Sequence, residues 1–154
     1  MRTVRIWAAA ALAAVTASAG LVSSASAAPS QNADLARKIA AFQAAHPSSR
    51  QIGPATLTIP GGDVTLAADG VNTPAYVSCN SGYLCIRDGN GNYYSYYNCG
   101  YYDFWGLGDG EFNNNQTWGT VARFYNSDGS ERWSNVAKDT GTAAWTPVYH
   151  IRPC

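Results

Sequence analysis

Four cysteines, Cys79, Cys85, Cys99 and Cys154, are the residues of this chain best placed for covalent chemistry. Their spacing argues for cross-links rather than a metal, because no CxxC pair is present and His150 is the one histidine within residues 76–154 that could complete a zinc site. Four cysteines allow three pairings. The pairing expected is Cys79 with Cys85 and Cys99 with Cys154. The first would pin a tight loop to the edge of an opening strand, and the second would fasten the chain terminus to the end of a tyrosine-rich strand. In the loop-entropy picture the long closure is worth about 4 kcal/mol and the short one about 2.

Acid–base chemistry has less to draw on. Asp103, Asp109 and Glu111 could in principle pair as glycosidase acids, yet they fall in stretches that read as solvated surface. No nucleophile elbow and no spaced His/Glu metal motif is present, so an enzyme is not expected. The aromatic residues are a richer source of binding chemistry. Tyr93, Tyr94, Tyr96 and Tyr97 crowd one short segment, and strand alternation puts Tyr94 and Tyr96 on one face and Tyr93 and Tyr97 on the other. One face is expected to be core. The other is either cross-strand packing or an exposed platform for a sugar ring or a partner protein.

The elements that must carry these residues are short strands. Residues 83–87 and 93–97 flank the turn Asp88-Gly89-Asn90-Gly91-Asn92, and residues 120–125 and 130–134 flank Asn126-Ser127-Asp128-Gly129. Residues 145–152 read as a last strand. Gly106-Leu107-Gly108-Asp109-Gly110 reads as a loop. The two hairpins resemble each other loosely, which hints at a duplicated Greek key.

All ten tyrosines and all four cysteines lie within residues 76–154, whereas residues 28–75 hold one aromatic, Phe42, so a boundary is placed near residue 75. The lead segment 28–75 reads as a short helix, with Asn32 as N-cap, Leu35, Ile39 and Phe42 as its apolar stripe, and Pro47 as its stop. A hairpin follows, residues 56–59 and 64–66 around Pro60-Gly61-Gly62-Asp63, with Leu57, Ile59, Val64 and Leu66 sharing one face. A propeptide and a spacer with docked strands fit this segment equally well.

Residues 1–27 have the layout of a cleaved signal peptide: Arg2 and Arg5, an apolar run, then Ala25-Ser26-Ala27. The run is too short and too rich in Ala and Ser for a membrane span, so no membrane association is expected after cleavage. Export suits disulfides, and a domain of fewer than about 80 residues needs such staples. Cleavage removes two of the ten basic residues and none of the ten acidic ones, leaving a net charge of −2. The remaining cations are scattered singly, which argues against nucleic acid as a partner.

The run Cys79-Asn80-Ser81-Gly82-Tyr83-Leu84-Cys85-Ile86-Arg87-Asp88, the tyrosine-rich strand, Cys99-Gly100, the stretch Gly110-Glu111-Phe112-Asn113-Asn114-Asn115-Gln116-Thr117-Trp118 and the terminal Cys154 together resemble a known family. It is the small secreted bacterial peptidase inhibitors with a βγ-crystallin-like fold, whose type member inhibits metalloproteinases. The resemblance covers residues 78–154. It implies an all-β, disulfide-stapled Greek-key sandwich and inhibition of an extracellular peptidase through a rigid loop, the candidates being residues 106–116 and the Cys79–Cys85 loop. The cysteine layout departs from the type member, since Cys99 and Cys154 lie far apart, and no inhibitory residue is carried over. The alternatives are a carbohydrate or cell-wall binding module using Tyr93, Tyr94, Tyr96, Tyr97, Asp109 and Glu111, and a calcium-binding crystallin-like protein. For the last, Asn113 to Thr117 resembles a βγ-crystallin calcium loop with Asn113, Asn114 and Thr117 as ligands, although Trp118 stands where a final Ser would be.

Overall fold

The structure is a computed structural model and describes residues 28–70 and 76–154; the expected signal peptide, residues 1–27, and the boundary at residue 75 lie outside the described residues. Among the described residues the fold is mostly β, with two antiparallel sheets, one helix and two disulfides. The helix α1 (Ala28–Ala45) begins before Asn32, with Pro29 in its first turn, where a missing N–H leaves no bond unmade. It ends before Pro47 as the sequence predicts, and Ile39 is buried with Leu35 and Phe42 packed beside it against the core.

The lead hairpin is β1 (Thr56–Ile59) and β2 (Gly62–Thr65), joined through Pro60 and through Gly61 at φ 85°, a turn conformation that favours glycine. Leu57, Ile59, Val64 and Leu66 are all buried, as the alternation predicts. The hairpin does not stand apart, because β2 pairs in register with β4 (Tyr93–Tyr96) and its apolar face joins one core cluster with residues 84–151. The six-stranded sheet runs β1-β2-β4-β3-β6-β9, with β3 (Leu84–Arg87), β6 (Asp109–Asn114) and β9 (Asp139–Ala144). The second sheet runs β5-β10-β7-β8, from β5 (Tyr102–Asp103), β10 (His150–Arg152), β7 (Val121–Tyr125) and β8 (Glu131–Val136). Between the sheets lie Leu84, Ile86, Tyr94 and Tyr96 from one side and Ala122, Phe124 and Ile151 from the other, with Trp145 fully buried among them.

One connectivity occurs twice. After the hairpin β3–β4 the chain lends β5 to the second sheet and returns as β6 beside β3. After β7–β8 it lends β9 to the first sheet and returns as β10 beside β7. Both expected hairpins within residues 76–154 are present, and three local readings need correction. Asp109 and Gly110 are not loop but the start of β6, where Gly110 lets the strand approach the Arg87 carbonyl and the Trp145 ring with no Cβ in the way. The last strand is confined to residues 150–152, because Pro147 has no N–H for a ladder and the Val148 N–H instead donates to the Trp145 carbonyl in a turn. Strand β9 has no aromatic residue, and the sequence reading passed over it.

Candidate functional site

Both disulfides form as expected, Cys79 with Cys85 and Cys99 with Cys154, with Cα atoms 5.6 and 5.1 Å apart. They stand at the same end of the sandwich. Leu84 opposes both Tyr96 and Asn114, which puts the Cys79–Cys85 loop beside the segments that follow β4 and β6. The Gln116 side chain donates to the Pro153 carbonyl at 2.6 Å, tying the second segment to the terminal cysteine. The loop itself is held twice over. The Asn115 side chain donates to the Cys79 carbonyl at 2.9 Å, the Asn115 N–H to the Tyr83 carbonyl at 3.0 Å, and the Gly82 N–H to the Asn115 carbonyl at 2.8 Å. Asn80 and Ser81 are left exposed at its tip. Tyr97, 60% exposed, packs on Tyr83 with ring centroids 4.9 Å apart, and Trp118 is 76% exposed on the turn after Gln116. This end therefore offers a stiff loop with Tyr97 packed on its Tyr83, and Trp118 exposed a short way along the chain from Asn115, both residue types that anchor protein interfaces.

A second surface lies on the outer face of the six-stranded sheet. The registers line up one residue from each strand in a continuous row: Thr56, Thr65, Tyr93, Arg87, Glu111 and Thr142. Within it the Thr56 and Thr65 hydroxyls are 2.9 Å apart, and Arg87 forms an ion pair with Glu111 that is only partly open to solvent. The segment Tyr76 to Ser78 crosses this face as a strap. The Tyr93 hydroxyl donates to the Ser78 carbonyl at 2.6 Å, and the Asn113 side chain donates to the Val77 carbonyl at 2.9 Å. Clefts open on either side, one of about 460 Å³ between Tyr76, Tyr93, Arg87 and Asn80, the other of about 210 Å³ between Tyr76, Glu111 and Thr142. Burial raises the Tyr93 hydroxyl above its ordinary range, so it remains a hydrogen-bond donor at neutral pH.

The residues singled out from the sequence divide accordingly. Tyr93, Asp109 and Glu111 come together on the outer sheet face, whereas Tyr97 sits at the disulfide end. Tyr94 and Tyr96, 1% and 0% exposed, are core residues and leave the binding set. Their hydroxyls are pushed well above the ordinary phenol range by burial. Residues 106–116 cannot serve as a presenting loop, since most of them form β6, which is paired on both sides by β3 and β9. Asn113 and Asn114 do not converge on one ion, because they point to opposite faces of β6. Asn113 is spent on Val77, and buried Asn114 donates to Asn135 and accepts from Gln116, while Thr117 lies beyond the strand.

Of the three carboxylates, Asp109 and Glu111 share one face of β6 and Asp103 stands apart from both. Asp103 lies on the second sheet, 2.9 Å from His150 Nδ1 with Tyr101 stacked on the imidazole, and Glu111 is committed to Arg87. Among the described residues, no helix is long and apolar enough to cross a membrane, and two disulfides without a free cysteine fit an extracellular setting.

Arg87, Tyr76, Thr142, Asn115 and Trp118 are the contributors that sequence reasoning missed. Only Trp118 carried a local signal, a bulky aromatic beside Gly119 at the end of the Asn-rich stretch. Compared with protein-family models, with curated proteins and with solved structures, the chain finds no match in any of the three.

Proposed function

We propose that this chain is a secreted binding protein of the peptidase-inhibitor type, with no chemistry of its own, that docks on an extracellular metallopeptidase through its disulfide end. The observation that carries this reading is the loop from Asn80 to Tyr83, closed at its base by Cys79–Cys85 and fastened along its flank by Asn115. A segment already fixed in one shape loses little entropy on entering a cleft, and it is hard for a peptidase to distort toward cleavage. Tyr97 and Trp118 supply the large, stiff contact area that a standard-size interface concentrates near its centre. The repeated connectivity supports the crystallin-like part of the resemblance, because in both halves the fourth strand returns beside the first, as in a Greek key, with the third lent to the opposite sheet. The export layout of residues 1–27 supports an extracellular site of action.

The test is a progress-curve assay against a thermolysin-like metallopeptidase. Inhibition at micromolar protein is expected, weakened at least tenfold by Trp118→Ala or Tyr97→Ala, since truncating a central aromatic anchor costs about 2 kcal/mol or more. Full peptidase activity in the presence of micromolar protein would remove the inhibitor reading and leave the resemblance as one of fold.

A further inference from the structure

We propose that the outer face of the six-stranded sheet is a second binding site, independent of the disulfide end, and that its ligand is a neutral oligosaccharide. Three features of the site select that chemistry. Tyr76 is 66% exposed and Tyr93 half-buried, so the clefts between them and the row of strand residues have aromatic walls, which suit the apolar C–H face of a pyranose ring. The floor is the Arg87–Glu111 ion pair, whose guanidinium keeps N–H donors beyond the one given to Glu111 and whose carboxylate keeps lone pairs. A donor fork beside an acceptor is the arrangement that grips neighbouring sugar hydroxyls. Finally, the pair is neutral overall and Asp109 adds a negative charge at the end of the same strand, which disfavours phosphorylated or sulfated ligands.

The same geometry argues against an extended peptide as the occupant of these clefts. Peptides that lie along sheets draw affinity from main-chain ladder bonds. Here β3 and β4 are each paired on both sides, leaving no free ladder groups in the strands beneath the larger cleft. Recognition has to come from side chains, as it does for sugars. The larger cleft, about 460 Å³, falls within the usual span of about 300–1,000 Å³ for small-ligand sites. The smaller cleft continues it past Tyr76 toward Thr142 and the exposed edge of β9, so the site is elongated in the way a linear glycan requires.

The experiment is retention of the full chain on insoluble chitin, cellulose and purified peptidoglycan, followed by calorimetric titration with chitohexaose and cellohexaose. Retention on at least one of these polymers is expected. Affinity should fall about tenfold in Tyr76→Ala and in Thr142→Trp, which fills the smaller cleft, while Trp118→Ala binds unchanged. Both cleft substitutions are at exposed positions, so a circular dichroism spectrum matching the parent separates lost binding from lost fold. Passage through all three polymers, equal retention of the cleft variants, or Tyr76-dependent binding of casein-derived peptides instead of glycans would each overturn the proposal. Because Trp118 serves the inhibitor reading alone, failure of one site leaves the other standing.

Discussion

Asn115 Nδ2 donates to the carbonyl of Cys79 at 2.9 Å across 36 residues of sequence, and this bond makes the loop between Cys79 and Cys85 stiffer than its disulfide alone would. A disulfide joins the loop's two ends, whereas the Asn115 side chain also fixes the orientation of the Cys79 carbonyl and the Asn115 backbone holds Gly82 and Tyr83 in between. Asn115→Ala should therefore leave both disulfides formed and lower global stability by about 1 kcal/mol, the usual worth of one such hydrogen bond. Its larger effect should fall on function, with peptidase inhibition weakened about tenfold and cleavage after Ser81 accelerated. Unaltered inhibition constants for this variant would mean that the disulfide alone sets the loop's shape.

The elements legible in the sequence were those with local causes. The disulfide pairing followed from where cysteines sat relative to strands, and the lead hairpin followed from alternation around Pro60-Gly61. Alternation also separated Tyr93 from Tyr94, although it could not say which face was core. What the sequence left open was the register between strands distant along the chain. The pairing of Arg87 with both Tyr93 and Glu111 turns three unremarkable positions into one row, and nothing local to Arg87 announces it. Strand β9 was missed for a related reason. Its small residues, Gly141 and Ala143 among them, have weak strand preference and are placed by the aromatic ring of Phe112 that lies against Gly141.

Gly62 is pressed against the Ser95 carbonyl in the pairing of β2 with β4, so any Cβ there collides with backbone. Gly62→Ala should cost about 1–3 kcal/mol, the range for forcing extra volume into a packed site. The control is Gly53→Ala, whose new methyl would meet Thr56 at an ordinary 3.4 Å. Because Trp105, Trp118, Trp133 and Trp145 all lie beyond residue 75, urea unfolding followed by tryptophan fluorescence reports on the rest of the fold. A shift of the whole tryptophan transition in Gly62→Ala is expected, since the lead hairpin shares one core with it. An unshifted transition would show that residues 56–66 are held on as a separable unit.

The hydroxyl of Tyr96 is fully buried and has no hydrogen-bond partner within the described residues. A buried, unpaired polar group costs about 1–3 kcal/mol relative to an apolar one of the same shape. Tyr96→Phe removes that group and keeps the ring stacked near Tyr102, so it should stabilise the protein by about 1 kcal/mol. Tyr94→Phe serves as the comparison at a neighbouring buried ring. Chemical denaturation decides the matter, and a loss of more than about 1 kcal/mol in Tyr96→Phe would show that the hydroxyl is bonded after all.

His46 connects the helix to acid stability. Its ring lies against Trp105 with centroids 3.9 Å apart and against Phe42 at 4.4 Å, and this burial lowers its pKa, while the Asp103 carboxylate pulls the other way. A histidine held neutral by the folded state takes up a proton more readily when unfolded. Its contribution to stability is therefore complete above the unfolded value of about 6.5 and is lost as pH falls through that value toward the lower folded one. Asp88 acts in the opposite sense within the carboxylate range. Burial raises its pKa against the hydrogen bonds from Asn92, Leu107 and Asn90, so the folded state holds that proton more tightly and gains stability as pH falls through the raised value toward the ordinary one. Melting temperatures compared between about pH 7.5 and about pH 5.5 stay within the histidine window. The parent protein should melt lower at the acid end, and His46→Phe, which keeps a ring against Trp105, should lose most of that difference. An identical pH slope in the two proteins would place the acid sensitivity elsewhere than at the helix dock.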